Sequence, residues 1–108
     1  LQRRGEGQAA AIIIDEFEHT TLMIINTGHE SWFYRWNMAY VWALRGDNEQ
    51  ATDWYEKAVD AGRRRYEWDE QEPVFAQLLD DPRFQDQLEK QRRLRESMRA
   101  RVSVMLKQ

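Results

Sequence analysis

The run Met38-Ala39-x-x-Trp42, the turn Gly46-Asp47 and the run Ala51-x-x-x-Tyr55-x-x-Ala58 constrain this chain more than any other stretch. Small and large apolar residues stand at helical steps on both sides of the turn. Met38 and Trp42 are four apart, as are Ala51 and Tyr55, so each pair shares a helix face. The alanines let backbones approach closely, and the large side chains fill the space between. The spacing predicts two antiparallel helices joined by a connection of a few residues. One such pair cannot bury both of its faces, so a neighbour must stack on it.

The rest of the chain divides at its few glycines and prolines. A first helix is expected over about 8–25. Its Ile12-Ile13-Ile14 would suit a strand by propensity, but the alanines before it and the missing alternation favour helix. Thr20-Thr21 marks a candidate break. The second helix is expected over about 31–45, with Ser31 as N-cap, and the third over about 48–61, ending at Gly62. After Arg63-Arg64-Arg65 the pattern loosens, with Tyr66 and Trp68 as expected packing residues. Glu72-Pro73 predicts a short helix to Leu79, and Asp81-Pro82 opens a long one that can reach the chain end.

Composition removes several classes of function. The chain has no cysteine, which excludes disulfides, thiol chemistry and cysteine-held metals. The net charge of -3 argues against nucleic-acid binding by bulk electrostatics, and five tryptophans argue against disorder. No stretch reaches the roughly 18 apolar residues a membrane span needs, and no signal-peptide pattern opens the chain. A start at Leu1 reads as a fragment or a processed form, and the expected location is cytoplasmic.

Residues 32–65 resemble one tetratricopeptide repeat, a pattern of large-x-x-large-small-x-x-aromatic followed by small-x-x-x-aromatic-x-x-small. In that register Met38, Ala39, Trp42, Ala51, Tyr55 and Ala58 take the packing roles, and Gly46-Asp47 occupies the inter-helix turn. Arg35 stands where the family often has tryptophan, with Trp36 one step late, and Arg63 replaces the closing proline. Gly5, Ala10, Ile14 and Phe17 repeat the steps of Gly46, Ala51, Tyr55 and Ala58, so residues 1–25 look like the second helix of a truncated repeat. Residues 66–108 would then be divergent capping helices, with Phe75, Leu78, Leu79, Phe84 and Leu88 forming an irregular pair.

The wording Ala43-Leu44-Arg45-Gly46-Asp47, Tyr55 through Gly62, and Phe75 through Phe84 is similar to the C-terminal ends of bacterial multidomain regulators that carry such repeats. The resemblance implies an all-α fold, with antiparallel helix pairs stacked as a superhelix and a long C-terminal helix. It implies a protein-interaction or oligomerisation module and transfers no catalytic residue, because an output module would lie outside this chain.

Candidate sites follow from the surface pattern. Trp32, Trp36 and Tyr40 share a helix face, and they either pack against neighbouring helices or anchor a peptide or subunit. First-helix residues make the contacts in tetratricopeptide grooves, which singles out Trp36, Asn37 and Tyr40 for protein binding. Residues 66–82 carry six acidic and no basic side chains, whereas residues 83–108 carry a net charge of +5. Arg92, Arg95 and Arg99 in this tail are candidates for contact with a protein partner. The tail would be solvated or held against the acidic segment of its own or a sister chain. Without interleaved aromatics, it makes a weak nucleic-acid element.

Leu88, Leu94, Met98, Val102 and Met105 form a stripe that either caps the stack or pairs with another subunit as a homodimer. His19, beside Asp15 and Glu16, lacks the ligand spacing of a zinc site, and no nucleophile or phosphate loop accompanies the carboxylates. No metal, cofactor or catalytic group is expected. The competing readings are a structural helical cap with no groove and a small nucleic-acid-binding domain using its basic last helix.

Overall fold

The computed structural model describes residues 4–107, with side chains from Gly7 onward. Helix α1 spans Arg4–Asn26, α2 Trp32–Leu44, α3 Asn48–Asp60, α4 Tyr66–Gln71 and α5 Pro82–Leu106, with a 3-10 helix over Pro73–Leu78. No strand occurs among the described residues. The fold is therefore all-α, as expected. Residues 1–3 of the proposed truncated repeat lie outside the described residues.

The helix ends follow from local chemistry. Ser31 accepts a hydrogen bond from the Phe33 backbone N–H at 3.2 Å, Asp47 from Gln50 at 3.0 Å, and Asp81 from Arg83 at 2.8 Å. Each satisfies an amide that the first helical turn leaves unpaired. Gly46 takes φ 80°, which lets the Asp47 amide reach back to the Trp42 carbonyl at 3.0 Å. Asp47 thus closes α2 and opens α3, and only glycine holds that left-handed turn without steric cost. Thr20 and Thr21 do not interrupt α1. β-Branching costs a helix only tenths of a kcal/mol, and Thr21 is buried.

Helices α2 and α3 lie antiparallel, with Ala39, Ala51, Tyr55, Ala58 and Val59 fully buried. Helix α1 runs antiparallel along α2, fixed by Arg45, which reaches Asp15 at 2.6 Å and Glu18 at 2.9 Å. The segment after α3 follows α2: Asp69 meets Trp36 near its start, and Gln77 donates to the Ala43 carbonyl at 2.6 Å near its end. Helix α5 then runs parallel to α3. Arg83 bridges Asp53 and Glu56, and Lys90 reaches Asp60 one turn further along. Phe75, Leu78, Phe84 and Leu88 close the core from this side.

Three expectations about individual side chains change. Trp42 is only half-buried, with the Arg45 guanidinium 4.7 Å over its ring. Trp68 is 67% exposed, because the inward position of the short α4 belongs to its neighbour Asp69. The stripe on α5 does not cap its own chain beyond Leu88: Met98 and Met105 are 64% and 71% exposed. The helix outruns the core, in a molecule 63 Å long and 19 Å thick.

Candidate functional site

An apolar groove of about 410 Å³ opens between α1 and α2. Ile13, Ile14 and Phe17 form one wall, Trp36, Tyr40 and Leu44 contribute the other, and Asn37 and Glu72 supply its polar atoms. The helical spacing of both walls explains their convergence. Residues 13 and 17, like 36, 40 and 44, are separated by single turns, so each set projects from one face. Trp36, Asn37 and Tyr40, singled out from the sequence, are thus brought together. The contribution of α1 is the part that sequence reasoning assigned to packing.

Trp36 and Tyr40 do two jobs. Their rings lie 5.4 Å apart, and each makes an edge contact with Phe75 at 5.7 and 6.1 Å. The groove wall is therefore braced by the core behind it. Met38, Ala39, Ala51, Tyr55 and Ala58 are all buried.

Behind the same wall lies a polar cluster that the sequence did not reveal. The buried Asp69 carboxylate accepts from the Trp36 indole at 3.1 Å, the Tyr55 hydroxyl at 2.5 Å and the Arg63 guanidinium through two bonds. Gln91 of α5 donates to the Tyr55 oxygen at 2.7 Å. Arg63 is itself sandwiched between Trp32 and Trp36, 4.7 and 4.9 Å from their ring centroids. Three segments are tied directly to this carboxylate and α5 is tied to it through the Tyr55 oxygen, and the departures from the repeat pattern at Trp36 and Arg63 are two of the members.

Burial first, and then the charge and hydrogen bond of Asp69, hold the Tyr55 phenol protonated far above the usual tyrosine value of about 10. An unfolded chain loses that proton as pH passes about 10, while the folded one keeps it. The stabilisation is complete below that pH and declines above it. The urea midpoint should fall steeply above pH 10, and less steeply in Tyr55→Phe; equal slopes would contradict this role.

The candidate arginines divide. Arg92 reaches Glu89 at 3.1 Å and Glu70 at 3.7 Å, Arg95 binds Glu67 at 2.5 Å, and both lie over the Tyr66 ring. These contacts hold the middle of α5 against the acidic segment of its own chain. Arg99 lies beyond them on an exposed face with Met98, Val102 and Leu106. At 100° per residue, Arg92, Arg95 and Arg99 share one side of the helix, while Arg93 and Arg101 project elsewhere.

His19 is exposed, and His29 stacks on Tyr34 with ring centroids 5.9 Å apart. Among the described residues no group of three or more His, Asp or Glu side chains is placed to hold a metal ion, and no helix is long and apolar enough to cross a membrane. Compared with protein-family models, curated proteins and solved structures, the chain matches none.

Proposed function

We propose that this chain is a non-catalytic protein-interaction or oligomerisation module. It would be built from tetratricopeptide-like helix pairs and belong to the C-terminal part of a larger, cytoplasmic bacterial regulator. The parallel course of α3 and α5, with the segment between them running back along α2, is what two stacked helix pairs produce. The observation that carries the functional reading is the α1–α2 groove. Its walls are apolar and the α2 wall is braced from behind by Phe75, yet Ile13 and Phe17 remain 65% and 43% exposed. A concave apolar surface supported by the core suits an inserted apolar segment of a protein partner. A purely structural cap has no use for it.

Photo-crosslinking tests the reading. A benzoylphenylalanine at position 13 should give a discrete protein adduct when the chain is irradiated in the cells that produce it. Phe17→Glu, a change on the opened wall, should abolish that adduct without loss of helical content. Absence of any protein adduct, or one that Phe17→Glu leaves unchanged, would overturn the proposal.

A further inference from the structure

The end of α5 is the least covered part of the molecule. Every residue from Glu96 to Lys107 is exposed, including the apolar Met98, Val102, Met105 and Leu106. An isolated helical stretch of this length is marginal in water. The segment gains little from its own chain, and its apolar side chains sit at steps of four and three, as on a helix that lies in a groove.

Charge selects what covers it. Arg83, Lys90, Arg92 and Arg95 are paired within the chain, but the uncovered stretch from Glu96 to Lys107 carries Arg99, Arg101 and Lys107 against one carboxylate, a net charge of +2, so two such tails side by side would repel. The helix that supplies one wall of the α1–α2 groove has the opposite sign: outside the apolar lining of Ile13, Ile14 and Phe17, its residues between Gly7 and Asn26 include Asp15, Glu16 and Glu18 and no lysine or arginine. Glu72 adds a further carboxylate at the groove edge. Arg45 offsets part of this by pairing with Asp15 and Glu18, which leaves Glu16 and Glu72 outside that ion pair. An apolar, basic helix and an apolar, acid-edged groove thus occur on one chain, held apart by the core between them.

Resting on the interaction-module reading, we infer that the occupant of the groove is the α5 tail of a second copy of this chain. Met98 and Val102 enter between Phe17 and Tyr40, and Arg99 and Arg101, on opposite flanks of that face, lie one toward the carboxylates of α1 and the other toward Glu72. The contact is heterotypic, tail to groove, and two copies can exchange tails to close a symmetric dimer.

Mixing tests it on the full chain. A groove variant, Ile13→Lys with Phe17→Lys, and a tail variant, Met98→Glu with Val102→Glu, change only exposed or half-exposed positions, and circular dichroism verifies their folding. Sedimentation should find the wild type self-associating. Each variant alone should associate on the order of a hundredfold more weakly, as expected when two large apolar anchors are lost. An equimolar mixture should recover one-to-one pairs, because one variant keeps its tail and the other its groove.

A groove variant that still self-associates like the wild type would show tail-to-tail pairing and overturn the proposal. So would a mixture that stays apart, or a wild type that is monomeric throughout. A discrete crosslink from position 13 to a different protein would overturn the second copy as occupant, while leaving the interaction-module reading intact.

Discussion

Replacing Asp69 by alanine is expected to cost about 3–5 kcal/mol of folding stability, the range for removing one partner of a buried ion pair. The substitution strands a guanidinium: Arg63 is 4% exposed and has both of its bonds to a side chain directed at this carboxylate. The Trp36 indole and the Tyr55 hydroxyl lose their acceptor at the same time. For a domain of this size the melting temperature should fall by roughly 15–25 °C. The loss should come from the unpaired charge more than from the pair itself. Arg63→Met combined with Asp69→Leu should therefore be considerably more stable than Asp69→Ala alone. Urea titrations of the three proteins measure this, and a cost below about 1 kcal/mol for Asp69→Ala would contradict the role assigned to the cluster.

Phe75→Ala should be comparably damaging, about 3–5 kcal/mol, through a different mechanism. The Phe75 ring is fully buried, with Tyr55 and Phe84 each 5.9 Å from it and the groove residues Trp36 and Tyr40 on its other side. Alanine leaves a cavity that these rings fill only by leaving their rotamers, so both the core and the groove wall loosen. Thermal unfolding gives the stability loss. The fluorescence maximum of Trp36, read in a variant whose other tryptophans are phenylalanine, should shift to the red. An unshifted maximum with full stability would mean that Phe75 does not brace the wall.

What the sequence revealed and what it hid have physical reasons. The α2–α3 pair was legible because its determinants are local: Ser31, Gly46, Asp47 and the alanines act within a turn or two of their own positions. The same holds for Asp81-Pro82 and the length of α5. The Asp69 cluster was hidden because Trp36, Tyr55, Arg63, Asp69 and Gln91 share no period and meet only when four helices pack. Asp69 also stands within an acidic run, where a solvated carboxylate is the ordinary outcome, and the aromatic beside it, Trp68, drew the packing assignment instead. The groove was half legible. Its α2 wall follows from helical spacing, whereas the α1 wall depends on which side of the isoleucine run faces α2. Three consecutive isoleucines spread apolar surface over about 200° of the helix, so the pattern does not single out the facing side.

Amide hydrogen exchange, followed as protein concentration is raised, tests most directly whether the two uncovered surfaces serve one contact. Tail-to-groove pairing predicts that protection rises together, and with one midpoint, in the last three turns of α5 and in α1 around Ile13 to Phe17. The buried amides of α3 should change little. Protection that rises in the tail alone, or in neither segment at any concentration, would contradict it.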